Sequence, residues 1–363
     1  MTCGRCDECR ERGDSFCVYC GEMLKPYPRS GCARCQECRN SGDTFCRYCG
    51  KKLTEEENPF LQIGFVIGMI TAVVLTCLLV FEYIVALWGI PQVFPNLPDY
   101  GSTLIIVVPI IINVVSFSGV LSQIYYLLLI AAVTVCLFLF LYKAAIPLHK
   151  LSKGDNKTIR KTAFFEMPVL FAVLYFWEFI FLMVLRVAGV DVSGLPDMDA
   201  WKWMYELLEA SVWEEVITRI LLIGLPMALI ALFYNKEGKG SWKYLFGGFG
   251  IDRKVLVLIF FSATIFAAGH LNNWGWWKFF PTFAFGLIVG YLFCRYGVYA
   301  TIMMHFLTDY TNAESWLFGS TPVMTALTIF LLSVVCVPYT YIYLKKGVIG
   351  MRDIIRGQNK DLR

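Results

Sequence analysis

The sequence contains little charge and few histidines. Only 17% of its 363 residues are Asp, Glu, Lys or Arg, 57% are hydrophobic, and there are three histidines. So few charged groups exclude an ordinary soluble protein of this size and indicate an integral membrane protein. The N-terminus shows no short apolar segment of the kind found in secretory signal peptides, so we expect no cleaved leader.

The first 53 residues do not share this composition, because they lack a long apolar run and hold ten of the fourteen cysteines. These cysteines form a repeat: CGRCDECRERGDSFCVYCGEML, residues 3–24, aligns without gaps to CARCQECRNSGDTFCRYCGKKL, residues 32–53. Each copy reads CxxCxxC, then seven residues, then CxxCG. Two CxxC pairs allow four thiolates to surround one tetrahedral zinc ion, and the glycine suits a tight turn.

This pattern resembles the double zinc ribbon family over residues 1–53. A gap of ten residues between CxxC pairs matches that family better than seven. The resemblance then implies two sets of structural zinc ligands: Cys3, Cys6, Cys17 and Cys20, and Cys32, Cys35, Cys46 and Cys49. The fifth cysteine of each copy, Cys9 or Cys38, departs from the family. An alternative register pairs Cys6 with Cys9 and Cys35 with Cys38, and a disulfide framework is a further alternative.

The charge of residues 1–53 disfavours nucleic acid as a partner. The segment has ten Lys/Arg and seven Asp/Glu, which is +3. A zinc ion with four thiolates contributes about −2, so two sites bring the module to about −1. We expect the ribbons to contact a protein partner. The zinc is expected to be structural, because four thiolates leave no open coordination position.

Apolar segments long enough to cross a bilayer follow a linker at residues 54–59. We predict eight spans, near residues 60–88, 122–144, 163–189, 204–234, 254–271, 277–295, 298–313 and 320–344. Residues 103–116 are also apolar, but the segment is short and contains Pro109. The predicted fold is an all-α polytopic membrane protein, an eight-span helical bundle preceded by two small zinc ribbons.

The distribution of Lys and Arg predicts the topology, because basic loops remain in the cytoplasm. Residues 143–161, residues 235–254 and the tail from Lys345 are basic, whereas residues 89–103 contain no Lys or Arg. Eight spans with cytoplasmic N- and C-termini satisfy this distribution, and a ninth at 103–116 would not. We therefore expect 103–116 to be re-entrant or interfacial. The tail lies either on the anionic inner leaflet or in solvent.

Ionisable residues interrupt several predicted spans, where each is costly to insert. Glu215 and Arg219 lie four residues apart on one helix face and can pair, which leaves the adjacent Glu214 without a partner. Glu178 and Arg186 are predicted to form a second, structural pair. The cluster of Glu214, Glu215 and Arg219 is either purely structural or part of a functional site. Six residues are the candidates for that site: Glu214, Glu215, Arg219, His270, His305 and Asp309.

These residue types can activate water. A carboxylate beside a histidine can hold a water molecule and remove its proton. A second histidine, oriented by an acid, can donate to a developing oxyanion. Alternatively, Glu214, His270, His305 and Asp309 could bind a divalent metal that activates water. The sequence contains no HExxH motif, so it lacks the zincin arrangement.

Three motifs carry a family resemblance. EEVITR, residues 214–219, matches EExxxR; FAAGH, residues 266–270, matches FxxxH; and HFLTD, residues 305–309, matches HxxxN/D. In this order they resemble the CPBP intramembrane proteases, the CaaX-protease and bacteriocin-processing group that includes type II CaaX prenyl endopeptidases. The resemblance covers about residues 160–345. It implies an eight-span α-helical bundle whose site is reached from the membrane and the cytosol.

The resemblance also implies a role for each candidate residue, in three pairs. Glu214 and His270 activate the hydrolytic water, His305 and Asp309 support the oxyanion, and Glu215 and Arg219 shape the site. Catalysis with a metal and catalysis without one both remain open. Asp309 replaces the Asn of CaaX-type members. An ionised Asp is a poor oxyanion donor, so Asp309 must be protonated, bind a metal or orient His305.

The leading hypothesis is an intramembrane endopeptidase acting on membrane-associated proteins or lipidated C-terminal tails. The alternative is a catalytically silent membrane scaffold, for example a bacteriocin-immunity protein, that recruits partners through its ribbons. A transporter is disfavoured, because the spans show no inverted repeat. The predicted organisation is tandem zinc ribbons at 1–53, a linker at 54–59, N-terminal spans with one non-spanning apolar segment at 60–159, a protease core at 160–345 and a basic cytoplasmic tail at 346–363.

Overall fold

The structure is a computed structural model of the chain. It describes residues 3–25, 34–51, 53, 59–108, 110–151, 156–192, 198–234, 238–311 and 322–356. The chain divides into two compact units, Met1–Ile63 and Gly64–Arg363. Among the predicted zinc ligands, Cys32 lies outside the described residues.

In the first unit, each repeat contains one short helix and a tight turn. The helices are α1, Cys6–Glu11, and α2, Cys35–Asn40. The turn follows the second CxxC pair: the Gly21 N–H donates to the Cys17 carbonyl and the Gly50 N–H to the Cys46 carbonyl, both at 2.8 Å. Both glycines have a positive φ, 75° and 70°, which accounts for the glycine in each CxxCG motif.

The two repeats pack on each other in a reciprocal way. The backbone N–H groups of Phe16 and Phe45 each donate to a carbonyl oxygen of the other repeat. The Phe16 ring occupies the space that a side chain at Gly50 would need, and the Phe45 ring does the same at Gly21. Each repeat thus supplies an aromatic ring that fits over a glycine of the other.

The second unit is a helical bundle that includes a β-hairpin among its described residues, and its first helix begins within the last residues of the first unit. Its α-helices are α3 Pro59–Trp88, α4 Ile90–Val93, α5 Leu97–Tyr100, α6 Val120–Leu151, α7 Asn156–Ile159, α8 Ala163–Val187, α9 Ala200–Glu215, α10 Leu225–Phe233, α11 Arg253–Gly269, α12 Leu271–Trp274, α13 Phe279–Tyr296, α14 Val298–Tyr310 and α15 Pro322–Ile355. A π-helical segment spans Val216–Gly224, and 3-10 helices span Gly238–Phe246 and Trp276–Lys278.

Six helical segments among the described residues are long and apolar enough to cross a membrane. They are Gln62–Val93, Val120–Ala145, Ala163–Val187, Ala200–Phe233, Trp276–Tyr296 and Ala326–Ile355. The all-α polytopic fold is therefore confirmed, but the count of eight spans is not. Helices do form at the other two predicted positions, α11 and α14, with 17 and 13 residues. At 1.5 Å per residue, 13 residues reach about 20 Å, less than the roughly 30 Å of a bilayer core.

The described residues of segment 103–116 lie in a β-hairpin, an element that the sequence-based fold did not include. Its antiparallel strands are β1, Ser102–Val108, and β2, Ile110–Phe117. The segment is rich in Ile and Val, whose branched side chains favour strands. A proline between the two runs also disfavours one continuous helix.

Helices α9, α11, α13 and α14 position the candidate site. Helix α9 packs against α14, α11 packs against α13, and the π-helical segment packs against α11.

The predicted ion pair between Glu178 and Arg186 is wrong. Glu178 Oε1 lies 3.7 Å from Lys278 Nζ on a different element, rather than pairing with Arg186 on its own helix.

Candidate active site

Helix α9 carries Glu214 and Glu215 into the bundle, and the π-helical segment begins at the next residue. The side chains of Glu215 and Arg219 are fully buried, and Arg219 Nε lies 3.2 Å from Glu215 Oε2. The ion pair expected from the four-residue spacing is therefore present. Stretches of π-helix within α-helices occur frequently at functional sites.

Arg219 is also held by two residues of α11. Its Nη1 donates to Ser262 Oγ at 3.0 Å, and its guanidinium carbon lies 5.2 Å from the centre of the Phe266 ring. These contacts lower the cost of burying a cation. Sequence analysis did not identify Ser262. The only indication in the sequence was that Ser262 is a polar residue in a mostly apolar helix.

His305 is oriented by Glu215. Its Nδ1 lies 2.9 Å from Glu215 Oε1, and because a carboxylate accepts, Nδ1 is the donor. The imidazole also packs edgewise on two aromatic rings, 5.1 Å from the centre of Phe285 and 6.0 Å from that of Phe266. These contacts fix the ring and leave Nε2 for the interior of the site.

His270 follows the last residue of α11 and is fixed in a similar way. Its Nδ1 lies 2.9 Å from the carbonyl oxygen of Phe266, to which it can only donate. Its ring meets the Phe266 ring edgewise at 4.8 Å. The other nitrogen, Nε2, is therefore free for chemistry. The FxxxH motif thus gives His270 both its hydrogen bond and its packing partner.

The two free nitrogens face one oxygen of Glu214. Glu214 Oε2 lies 3.9 Å from His270 Nε2 and 3.7 Å from His305 Nε2. Both separations exceed a direct hydrogen bond and suit a bridging water molecule. The Glu214 side chain is 31% exposed and that of His270 is 21% exposed, so this part of the site is accessible.

Asp309 completes the cluster from α14. Its Oδ2 lies 3.5 Å from His305 Nε2, and it accepts a hydrogen bond of 3.0 Å from Ser211 Oγ. The same hydroxyl lies 2.6 Å from the Leu207 carbonyl oxygen, so its single proton is shared between the two acceptors. Ser211 was not identified from the sequence. Its position four residues before Glu215 places it on the same face of α9.

The six candidate residues therefore come together, but the four possible metal ligands do not converge tightly. Within the described part of the chain, the His, Cys, Asp and Glu groups whose ligand atoms all lie within 4.8 Å of one another contain cysteines alone. Glu214, His270, His305 and Asp309 form no such group.

The cysteines of the first unit do fit a metal. The Sγ atoms of Cys3, Cys6, Cys17 and Cys20 all lie within 4.8 Å of one another. Cys3 Sγ is 3.5 Å from Cys6 Sγ and 3.6 Å from Cys17 Sγ. Zinc–sulfur bonds of 2.3 Å in a tetrahedron place sulfur atoms roughly 3.8 Å apart. The four thiols could therefore hold one zinc ion.

Three of the described cysteines of the second repeat come together in the same way. Cys35, Cys46 and Cys49 form a second group within 4.8 Å. Burial alone would raise the pKa of the Cys46 thiol, but hydrogen bonds from the backbone N–H groups of Tyr48 and Cys49 outweigh it and lower the pKa to about 7. A lowered pKa favours the thiolate, which is the form that binds zinc.

The fifth cysteine of each repeat lies beside a ligand, outside the group. Cys9 Sγ is 3.7 Å from Cys17 Sγ, and it accepts a hydrogen bond of 3.2 Å from Arg12 Nη2. Cys38 Sγ stands at the same 3.7 Å from Cys46 Sγ. This geometry favours the register that uses Cys3 over the one that uses Cys9.

These features define a polytopic helical membrane protein with an acid–histidine cluster inside its bundle. Residues 196–311, 116 of the 363, match the family described as Rce1-like, type II CAAX prenyl endopeptidase Rce1-like. The match includes all six candidate residues and confirms the resemblance over this segment. It supports intramembrane protease activity. Searches of curated proteins and of solved structures found no match to the chain.

Proposed function

We propose that the protein is an intramembrane endopeptidase that cleaves membrane-associated or lipidated proteins with a water molecule held by Glu214 and His270. The observation that carries this proposal is the convergence of His270 Nε2 and His305 Nε2 on Glu214 Oε2, at 3.9 and 3.7 Å. The match to CAAX prenyl endopeptidases supports the same reaction class.

The proposed reaction begins with the water between Glu214 and His270. Glu214 removes a proton as the water oxygen attacks the scissile carbonyl carbon. Collapse of the tetrahedral intermediate breaks the C–N bond, and the proton held by Glu214 passes to the leaving amine. The products are a carboxylic acid and an amine, so atoms and charge balance.

His305 is the proposed oxyanion donor. Glu214, Glu215 and Asp309 surround its ring, and such carboxylates favour an imidazolium by Coulomb's law. An imidazolium donates from Nε2, while Nδ1 stays bonded to Glu215. Asp309 then positions His305 and need not itself donate to the oxyanion.

Exposure supports this division of roles. The proposed hydrolytic residues, Glu214 and His270, are partly exposed, whereas Glu215 and Arg219 are fully buried. Substrate and water can reach the first pair but not the second. Glu215 and Arg219 therefore serve to orient His305 and hold α9 against α11.

We also propose two structural zinc ions in the ribbons and a protein partner for that module. The metal content of the purified protein then distinguishes catalysis with a metal ion at the active site from catalysis without one. A purified protein with about two zinc ions per chain supports catalysis without a metal at the site. A third divalent ion that is lost in a Glu214→Gln variant would support a metallopeptidase.

The test is proteolysis by purified, lipid-reconstituted protein against a library of prenylated and unmodified C-terminal peptides. We expect cleavage by the wild type and a loss of at least a hundredfold in Glu214→Gln and His270→Ala. Glu206→Gln removes a carboxylate two turns earlier in the same helix and is the matched control. Equal activity in all four proteins would show that Glu214 and His270 do not catalyse the cleavage, and no activity in the wild type would favour the silent scaffold.

A further inference from the structure

A cavity of about 770 Å³ lies apart from the candidate active site. It opens between α6, the start of α8, the end of α13 and the start of α14. None of the six candidate residues is among those that line it. Helix α14 contributes to both the cavity and the candidate active site. Tyr299 lines the cavity six residues, or roughly 9 Å of helix, before His305.

One wall of the cavity changes along α6 from apolar to cationic. Val135, Leu139 and Lys143 line it at four-residue intervals, so they form one stripe of the helix. Val135 is 57% exposed and Leu139 is 37% exposed. The apolar part of the stripe is therefore open to the surroundings of the bundle, which in a membrane are acyl chains.

Three cationic side chains line the cavity: Lys143, Lys161 and Arg295. Arg295 is neutralised, because its Nε lies 3.2 Å from Glu166 Oε2. Lys143 Nζ lies over the Tyr299 ring, 4.3 Å from its centre. In the part of the chain that the structure describes, no carboxylate pairs with either lysine. Both ammonium groups are left to attract an anion.

The cavity lies at the level where two candidate spans end. Lys143 is two residues before the end of Val120–Ala145, and Ala163, which also lines the cavity, begins Ala163–Val187. The phosphate groups of a bilayer lie at this depth, just outside the hydrocarbon core. An apolar stripe below and two cations at this level match the two ends of a phospholipid.

We propose that this cavity binds one anionic phospholipid. The phosphate lies between Lys143 and Lys161, and one acyl chain lies along Val135 and Leu139. Basic pockets between membrane helices suit acidic headgroups, because each lysine near the headgroup attracts its negative charge. This inference is independent of the proposed peptidase activity.

Native mass spectrometry of the full-length protein in detergent tests the proposal. The probes are dioleoylphosphatidylglycerol, dioleoylphosphatidylcholine and inorganic phosphate. We expect one phosphatidylglycerol bound at least tenfold more tightly than phosphatidylcholine. The double variant Lys143→Gln/Lys161→Gln should lose this preference. The control Lys345→Gln/Lys346→Gln removes the same charge from α15 and should keep it.

A second measurement does not depend on the folding of variants. A phosphatidylglycerol with a photoreactive acyl chain should crosslink to residues 135–143 of the wild type. Equal binding of the two lipids, an equal effect of the control variant, or crosslinks only elsewhere would overturn the proposal. Full displacement of the lipid by millimolar phosphate would also overturn it, since the site would then bind a soluble anion.

Discussion

Two adjacent glutamates have different environments at the scale of single residues. Glu215 is fully buried between Arg219 and His305, whereas the Glu214 side chain is 31% exposed and faces two imidazole nitrogens. Neighbouring helical residues are about 100° apart around the axis, which turns one carboxylate inward and the other toward the site. A pair of identical residues therefore supplies one positioning group and one candidate base.

Arg219→Met tests the positioning group. Removing the guanidinium leaves the buried Glu215 charge without its partner, so we expect the free energy of unfolding to fall by about 3–5 kcal/mol. Chemical denaturation in mild detergent, followed by tryptophan fluorescence, measures it.

The double variant Glu215→Gln/Arg219→Met removes both charges and should recover part of this loss. If the double variant were no more stable than Arg219→Met, electrostatic coupling between the two residues would not explain the cluster.

At the scale of elements, the β-hairpin lies beside the end of α9. The indole N–H of Trp213 donates to the carbonyl oxygen of Ile105 in β1 at 2.9 Å. Trp213 is adjacent to Glu214, so the bond ties the strand to the helix that carries the candidate base. Tyr100, just before β1, also donates to Glu206 of α9.

Trp213→Phe removes the indole N–H and keeps an aromatic ring. The loss of one hydrogen bond, about 1 kcal/mol, should increase amide exchange of β1 roughly fivefold. Hydrogen–deuterium exchange of peptides covering residues 102–108 measures this. Trp242→Phe, at an exposed position outside the hairpin, is the control. Unchanged exchange in Trp213→Phe would show that the bond does not hold the strand.

The zinc ribbons allow a prediction on ligand register. Cys3→Ser removes a proposed ligand that the alternative register does not use, and it should lower the zinc content below the roughly two ions per chain expected of the wild type. Cys9→Ser, which changes a thiol 3.7 Å from Cys17 Sγ, should leave about two. Inductively coupled plasma mass spectrometry of the purified proteins decides between the registers. Zinc loss in Cys9→Ser but not in Cys3→Ser would favour the alternative register.

At the scale of the whole molecule, the distribution of Lys and Arg predicts a topology with cytoplasmic termini. We expect a cysteine introduced at Lys161 to react with an impermeant maleimide only from the cytoplasmic side, and one introduced at Gln92 only from the other. A background with Cys77, which is exposed, replaced by Ser reduces unwanted labelling. Labelling of the Lys161→Cys protein from outside the cell would reverse the predicted orientation.

The sequence predicted local features better than long-range ones. Helices form at all eight expected positions, and the i,i+4 spacing correctly anticipated the Glu215–Arg219 pair, because both depend on helix periodicity. The hairpin was missed, since a short apolar run fits a strand or a helix. Ser211 was missed because its contact with Asp309 joins residues 98 apart in the sequence.

The Glu178–Arg186 prediction was wrong for the same reason, because the actual contact of Glu178 is with a residue far away in the sequence. Two turns along one helix suggested a partner, but packing brings Lys278 from another element within 3.7 Å of Glu178. The count of eight spans is not confirmed, for a related reason. Hydropathy marks apolar helices, but α14 is buried along most of its length inside the bundle, so it need not be long enough to span.

The reciprocal fit of Phe16 over Gly50 and Phe45 over Gly21 makes the two ribbons depend on each other. Each glycine lies in the turn that holds one set of thiols, so a ring from one repeat supports the metal site of the other. Loss of zinc from one repeat would loosen its phenylalanine and weaken the second site. The two ions should therefore leave cooperatively, and chains holding a single zinc ion should be rare at every intermediate chelator concentration.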